Sequence, residues 1–149
     1  MLLRVFIENE AGARRKNLYD ERTLVHQGTV EVSAAYPFPY GFVLDTVGGD
    51  GDALDCFVLT GSAVKSGTMV ECEAAGLLEQ VEDGEIDHKL LAVLPGAGIA
   101  IDEAAIAALE CFVAKVFAHV PGKRMQIGRV RGRTAAEDHV RACRVPGTG

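Results

Sequence analysis

Short stretches in which apolar and polar residues alternate, or in which apolar residues run together, dominate the chain. Alternation with a period of two residues is typical of half-buried β-strands, and a short apolar run bounded by turn residues is typical of a buried one. Strands are predicted at residues 2–8, 29–33, 56–60, 69–74, 88–94 and 125–130. The Tyr-Pro-Phe-Pro-Tyr-Gly segment at 36–41 is predicted to be a stiff loop, because each proline removes a backbone donor. The chain is therefore expected to be mainly β.

A helical pattern begins after Asp102, which is a suitable N-cap residue. Apolar residues then recur three or four positions apart, at Ile106, Leu109, Val113 and Val116. A proline–glycine pair should end this long helix near His119. A shorter helix is predicted for residues 134–144, because Thr134 and Glu137 have the spacing of a capping box.

Many short strands followed by two late helices indicate an α+β fold, mainly β. We expect a closed or nearly closed antiparallel barrel with one long and one short C-terminal helix packed outside it. The 149 residues, 48% of them hydrophobic, fit one domain covering residues 1–149. Four cysteines lie far apart without CxxC spacing, which favours reduced thiols and a cytoplasmic protein over a secreted disulfide scaffold.

The middle of the chain is strongly acidic. The 42 residues between Arg22 and Lys65 and the 23 between Lys65 and Lys89 contain no lysine or arginine, but they hold twelve carboxylates. Such a region would repel a nucleic-acid backbone or an anionic membrane, so neither is expected as a partner. The most apolar stretch, residues 90–101, is interrupted by Pro-Gly-Ala-Gly and is too short to span a bilayer.

Three carboxylates occur within six residues in the segment Asp50-Gly51-Asp52-Ala53-Leu54-Asp55, directly before a predicted buried strand. If the glycines let the loop curl back, its oxygens can converge on a hard cation such as Mg²⁺. A solvated acidic turn is the alternative. A calcium EF-hand is excluded, because the position that needs a bidentate glutamate is Gly61.

A second acidic segment, residues 82–89, also stands directly before a buried strand, and its alternative interpretation is a charged hairpin turn. Two acidic loops that each lead into an apolar strand would place both clusters at strand ends. There they can share metal ions that activate a water and neutralise a phosphoryl group.

The run from Tyr36 to Asp55, YPFPYGFVLDTVGGDGDALD, resembles the signature of the soluble inorganic pyrophosphatases. Residues 82–89 are similar to the family's later acidic segment, and the start of the chain, with Glu8 and Lys16, is similar to its first strand and turn. The resemblance implies Mg²⁺-dependent hydrolysis of pyrophosphate on a five-stranded OB-like barrel. It also implies a cytoplasmic homo-oligomer.

The resemblance implies a role for each matching residue. Asp52 would accept the proton from the metal-activated water as general base. The implied metal ligands are Asp50, Asp55, Asp87, Glu82 and Glu8. The implied phosphate-contacting residues are Lys16, Tyr40 and Lys89.

Several positions depart from the family pattern. A phosphate-binding arginine corresponds to Gly28, a tyrosine–lysine pair to Val116 and Phe117, and a glutamate to Leu18. Two missing cations would weaken pyrophosphate binding roughly 10²–10⁴-fold unless others compensate. The candidates are Arg14, Arg15, Arg22, Lys115, His119 and Lys123, of which Lys115 and His119 would point the same way on a helix.

Two alternatives to an active pyrophosphatase follow. The chain can be a degenerate relative that keeps the metal site but acts on another phosphate or pyrophosphate substrate, or is weakly active. It can also be a non-catalytic OB-like binding module, although such a module needs a basic, aromatic-lined face and the acidic middle argues against one.

Overall fold

A computed structural model describes residues 1–98 and 101–146. The apolar stretch 90–101 therefore lies partly outside the described residues. The strands are β1 (Leu2–Asn9), β2 (Arg15–Tyr19), β3 (His26–Glu31), β4 (Tyr40–Val43), β5 (Asp55–Val58), β6 (Met69–Glu82), β7 (Glu85–Ile86), β8 (Lys89–Val93) and β9 (Met125–Arg131). The helices are α1 (Glu103–Lys115) and α2 (Arg133–Cys143).

Five strands form the barrel. They follow the order β1-β4-β5-β8-β6, and pairing of β1 with β6 closes the ring. Strands β7 and β9 both pair with β6, while β2 and β3 form a separate hairpin. The closed five-stranded barrel is confirmed, but the expectation of an entirely antiparallel one is wrong, since β5 and β8 run parallel.

Two hydrophobic clusters stabilise this arrangement. The first contains apolar residues of β1, β5, β6 and β8, and helix α2 contributes Ala136 and Val140 to it. The second joins Tyr40 of β4 and Phe57 of β5 to Leu109, Phe112 and Val113 of α1. Both helices therefore cover the barrel from outside, as predicted.

Strands β1 and β4 approach each other unusually closely next to Tyr40. A Cβ atom built on Gly41 would lie 1.7 Å from the backbone oxygen of Phe6, so only glycine is accommodated there. The glycine of the Tyr-Pro-x-x-Tyr-Gly segment therefore fixes where the strand carrying Tyr40 lies. The prediction of a loop up to Gly41 is wrong at its end, because β4 already begins at Tyr40.

Helix α1 begins as predicted but ends earlier. The side chain of Asp102 accepts a 2.8 Å hydrogen bond from the backbone N–H of Ala105. The last helical residue is Lys115 rather than a residue near His119. His119 instead hydrogen-bonds Ser33 through its ring, so the expected neighbouring orientation of Lys115 and His119 is wrong.

The start of α2 also differs from the prediction. The helix begins at Arg133, after Gly132, and no side chain caps it. The capping box predicted for Thr134 and Glu137 is therefore wrong. Glu137 pairs at 3.3 Å with the chain's N-terminal ammonium group instead. Neither helix of the described chain combines the length and hydropathy that a bilayer crossing requires.

Candidate active site

One cavity of about 590 Å³ brings together every residue to which the sequence assigns a role. It opens between one end of the barrel, the β2–β3 hairpin and the end of α1. The predicted residues that line it are Glu8, Lys16, Tyr40, Asp50, Asp52, Asp55, Glu82, Asp87 and Lys89. They come from five different segments of the chain, so the fold alone places them together.

The parallel pair explains how the two acidic segments meet. Asp55 is the first residue of β5 and Lys89 is the first residue of β8. Cys56 lies opposite Leu90 in this parallel pair, so the first residues of β5 and β8 are side by side at one end of the barrel. The Lys89 ammonium group donates to Asp55 at 2.5 Å and to Asp87 at 3.0 Å.

Lys89 is buried, with 7% of its surface exposed. Burial alone would lower its pKa, but the attraction of Asp55 and Asp87 outweighs that effect and raises the pKa above its ordinary value. The ammonium group also lies 3.3 Å from the Tyr40 hydroxyl oxygen. Burial, and then the charge of Asp55, raise the pKa of Tyr40, so this hydroxyl stays protonated and can donate its own hydrogen into the cavity.

The Asp-Gly-Asp loop curls back as the glycines permit. Gly51 has a φ of 86°, in the left-handed region that favours glycine. The backbone N–H of Gly48 donates to the Asp52 carbonyl at 2.8 Å, and that of Asp52 donates to the Asp50 carboxylate at 3.0 Å. Desolvation and the charges of Asp50 and Asp55 raise the pKa of Asp52. An elevated carboxyl pKa suits a general base that works near neutral pH.

Glu8 contributes a carboxyl group from β1. Burial, followed by repulsion from Asp55, raises its pKa to about 7, although Lys16 opposes the shift. The ionised form of this carboxyl group is therefore unfavourable at the cavity. A nearby cation would stabilise it.

The donor set fits a hard divalent cation. The cavity is lined by eight carboxylates and only three basic side chains, and Mg²⁺ prefers oxygen ligands. Within residues 1–98 and 101–146, however, no three acidic, histidine or cysteine side chains are grouped as they would be around an ion. Asp55 and Asp87 point at the Lys89 ammonium group instead. This contact engages one oxygen, Oδ2, of each of the two carboxylates, and both residues line the cavity.

The positions that depart from the family pattern also face this cavity. Leu18, Val116 and Phe117 line it, and Gly28 lies opposite Leu18 in the β2–β3 hairpin. Paired residues in an antiparallel ladder share a face, so Gly28 lies on the cavity side. We call the residues Val113, Val116, Phe117 and Met125 the apolar wall, because they line the cavity and belong to one hydrophobic cluster.

Two of the six candidate compensating cations lie near the site. Arg22 lines the cavity, at the turn of the β2–β3 hairpin. Lys123 pairs with Glu82, and its ammonium nitrogen lies 5.0 Å from the centre of the Phe117 ring. The ammonium nitrogen of Lys16 lies 5.9 Å from the same ring centre. Among the described residues that line the cavity, Arg14, Arg15, Lys115 and His119 do not occur.

Two further residues at the cavity are not singled out by the sequence. Glu21 accepts a 3.0 Å hydrogen bond from the backbone N–H of Ala53, which ties the β2–β3 turn to the Asp-Gly-Asp loop. Gln80 lies on β6 with 1% of its surface exposed. Neither residue carries a clear signal in the sequence, because Glu21 follows another acidic residue and Gln80 stands between Glu79 and Val81 in a strand that also carries Glu82.

Comparisons with known proteins match this chain to one family. The family model described as inorganic pyrophosphatase matches residues 5–145. An inorganic pyrophosphatase of Geobacillus stearothermophilus is 32% identical over 152 aligned residues, covering 95% of this chain and 92% of the relative. One from Mycoplasma genitalium is 37% identical over 99 residues, and the match spans about half of that relative, 52% of its length.

Solved structures agree as well. The inorganic pyrophosphatase of Thermus thermophilus is similar with a TM-score of 0.85 at 27% identity, covering 95% of this chain and 88% of that one. The structure from Coxiella burnetii has a TM-score of 0.86 at 26% identity, covering 95% and 92%. The family match covers nearly the whole chain, and the residues selected by the sequence resemblance line one cavity. The chain therefore belongs to the inorganic pyrophosphatase family.

Proposed function

We propose that this protein hydrolyses inorganic pyrophosphate to two phosphates in a Mg²⁺-dependent reaction. The observation that carries the proposal is that nine side chains from five segments, selected by sequence alone, line a single cavity. The excess of carboxylates there is unfavourable in isolation and suits an anionic substrate bound together with divalent cations.

The carboxylates Asp50, Asp55 and Asp87 would hold Mg²⁺, assisted by Glu82 and by Glu8. When bound, the metal supplies a Lewis acid that lowers the pKa of a coordinated water and offsets phosphate charge. Side chains of the protein carry out proton transfer and contact the phosphate groups.

Asp52 takes the proton from the attacking water, because its carboxyl pKa is raised and it stands in the loop that carries two further carboxylates. Lys16 and Tyr40 contact the phosphate oxygens. Lys89 holds Asp55 and Asp87 side by side, and its hydrogen bond to the Tyr40 oxygen leaves the Tyr40 hydrogen directed elsewhere.

Phosphate release from pyrophosphate tests the proposal. In Mg²⁺, Asp52→Asn should lower kcat about 10²–10⁴-fold, the usual contribution of a general base. Asp138→Asn is a matched control, since this exposed carboxylate lies on α2 and, among the described residues, pairs with Arg141 alone. EDTA should abolish wild-type turnover and Mg²⁺ should restore it. Equal rates for wild type and Asp52→Asn would refute the assignment.

A second candidate is hydrolysis of a diphosphate or triphosphate that carries an organic group. The apolar wall favours it, because apolar side chains stand where the family pattern has a tyrosine and a lysine. Such a wall holds an organic substituent better than it holds phosphate oxygens. A nucleotide and phosphoester panel decides between the two candidates: a kcat/KM above that for pyrophosphate would establish the organic substrate.

We further propose that the protein is a cytoplasmic homo-oligomer, as the family resemblance implies. Sedimentation equilibrium of the purified chain tests the assembly. A mass equal to one chain at micromolar concentration would refute it.

A further inference from the structure

Gln80 has an unusual environment. Its side chain is buried, and within the described part of the chain its Nε2 and Oε1 are the only buried side-chain nitrogen or oxygen atoms that lack a hydrogen-bond partner. Buried polar atoms in folded proteins are nearly always paired, so such an exception calls for a partner outside the chain or a functional reason.

The position of Gln80 shows where that partner would lie. The pairing of β6 with β9 is irregular between Leu78 and Gln80, but both residues are buried while Glu79 between them is half-buried. Leu78 and Gln80 therefore both point inward. Leu78 belongs to the hydrophobic cluster that contains the apolar wall, and Glu82 lines the cavity. Gln80 also lines the cavity, at the boundary between its carboxylates and its apolar wall.

The backbone of Gln80 is fixed to the acidic segment. Its N–H donates to the His88 ring nitrogen Nδ1 at 3.0 Å, and its carbonyl oxygen accepts from the backbone N–H of Asp87 at 2.9 Å. The backbone that carries the side chain is thus held at a constant place relative to Asp87. A group positioned in this way is prepared to contact a ligand before the ligand arrives.

We infer that the Gln80 amide is a further phosphate-binding group of this site and donates from Nε2 to a phosphoryl oxygen of the substrate. The inference rests on the proposed function. An amide suits this place because it offers N–H donors without adding charge, and a hydrogen bond to an ionised oxygen is stronger than a neutral one. This hydrogen bond would replace part of the phosphate binding that the apolar side chains of Val116 and Phe117 cannot provide.

Gln80→Met is the sharpest test, because methionine keeps the length and shape of glutamine and removes both polar atoms. Leu78→Met is the matched control, since it changes the neighbouring inward residue of the same strand but does not line the cavity. Gln80→Leu provides a second apolar replacement in case the first folds poorly. The readouts are the Kd of methylenediphosphonate, a non-hydrolysable analogue, measured by calorimetry in Mg²⁺, the KM for pyrophosphate, and the Tm without ligand.

We expect Gln80→Met to weaken analogue binding and to raise KM about 10- to 100-fold, with kcat nearly unchanged. Its Tm should equal or exceed that of the wild type, because an unpaired buried amide is removed. Leu78→Met should leave Kd and KM within twofold. A Kd for both Gln80 variants within twofold of wild type would overturn the inference, and so would a wild type that binds no analogue.

These outcomes are separate from those of the proposed function. Failure of the function appears as equal phosphate release by wild type and Asp52→Asn. Failure of this inference appears in the ratio of analogue Kd values between wild type and Gln80→Met, which is measured without turnover.

Discussion

The two sides of the cavity differ in how closely they follow the family pattern. On one side, Asp50, Asp52, Asp55 and Asp87 form what we call the carboxylate wall, and each matches the signature. On the other side, the apolar wall replaces a tyrosine and a lysine with Val116 and Phe117. Under the proposed function, metal binding belongs to the carboxylate wall and part of phosphate binding to the apolar wall, so substitutions on one wall should leave the function of the other largely intact.

The backbone reinforces this difference at Gly28. Its φ of 151° and the irregular register between β2 and β3 disfavour a side chain at this position, although a Cβ atom would meet no atom within 4 Å. An arginine is therefore disfavoured here by conformation and not by space. An arginine at this position would strain the backbone of the hairpin.

The largest effect is expected from removing the cation of the carboxylate wall. Lys89→Met leaves Asp55 and Asp87 facing each other without their buried partner, which should cost about 3–5 kcal/mol of unfolding free energy in EDTA. Lys123→Met is the control, because the Lys123 side chain is 26% exposed against 9% for Lys89, and a loss of about 0–1 kcal/mol is expected. Urea unfolding measures both. If both variants lost a similar unfolding free energy, burial of the Lys89 ion pairs would not explain their contribution to stability.

The next largest effect is expected in how the stability of the metal-free protein depends on pH. The pKa of Glu8 is raised to about 7 in the folded state from an ordinary 4.5, so the folded state holds this proton more tightly than the unfolded state does. The contribution of Glu8 to stability is full below pH 4.5 and is lost as pH rises towards 7, by at most about 3 kcal/mol.

Thermal unfolding in EDTA between pH 4.5 and 7.5 measures this dependence. Glu8→Gln should flatten the decline in stability, because glutamine does not titrate. Added Mg²⁺ should reduce the decline in the wild type, since it offsets the charge of the carboxylates. A decline of the same size in Glu8→Gln would assign the effect to other groups.

A moderate effect is expected from restoring a cation on the apolar wall. Phe117→Lys should lower the KM for pyrophosphate about tenfold, through one charge-assisted contact partly opposed by the nearby Lys16 and Lys123. Phe117→Gln removes the ring without adding a charge and should not lower KM. If Phe117→Lys and Phe117→Gln give the same KM, the missing cation does not limit pyrophosphate binding at the apolar wall.

The smallest effect is expected at Arg22, the cavity-lining cation at the hairpin turn. Arg22→Met should raise the KM for pyrophosphate about three- to tenfold at low salt and less at high salt, because an exposed charge is screened. Arg14→Met is the control, since Arg14 does not line the cavity. An unchanged KM for Arg22→Met at low salt would exclude compensation by this residue.

Much of this architecture could be predicted from local patterns. The buried strands β5 and β8 and the Asp102 cap carry strong signals, and the carboxylates stand where two such strands begin. Strand β2 was not predicted, because its residues are exposed or half-buried and its extended form depends on pairing with β3. Its Lys16 and Leu18 face a wet cavity instead of a core, so they leave no apolar alternation in the sequence.

The limits of β6 and α1 were missed for related reasons. Strand β6 continues to Glu82, eight residues beyond the prediction, because β8 and β9 pair with its second half. Helix α1 stops at Lys115, although the apolar spacing continues to Val116, and the Val116 carbonyl accepts a 2.8 Å hydrogen bond from the Ser33 N–H. These bounds depend on contacts distant in sequence, which a local pattern does not contain.

The parallel pairing of β5 with β8 has a consequence for how the protein reaches its native state. The chain between these strands contains β6, which pairs with both β1 and β8, so Asp55 and Lys89 become neighbours only when the ring of strands is nearly complete. Contacts of such large sequence separation form slowly. Affinity for the divalent ion should therefore appear late during refolding, and the kinetics of ion capture would report barrel closure itself.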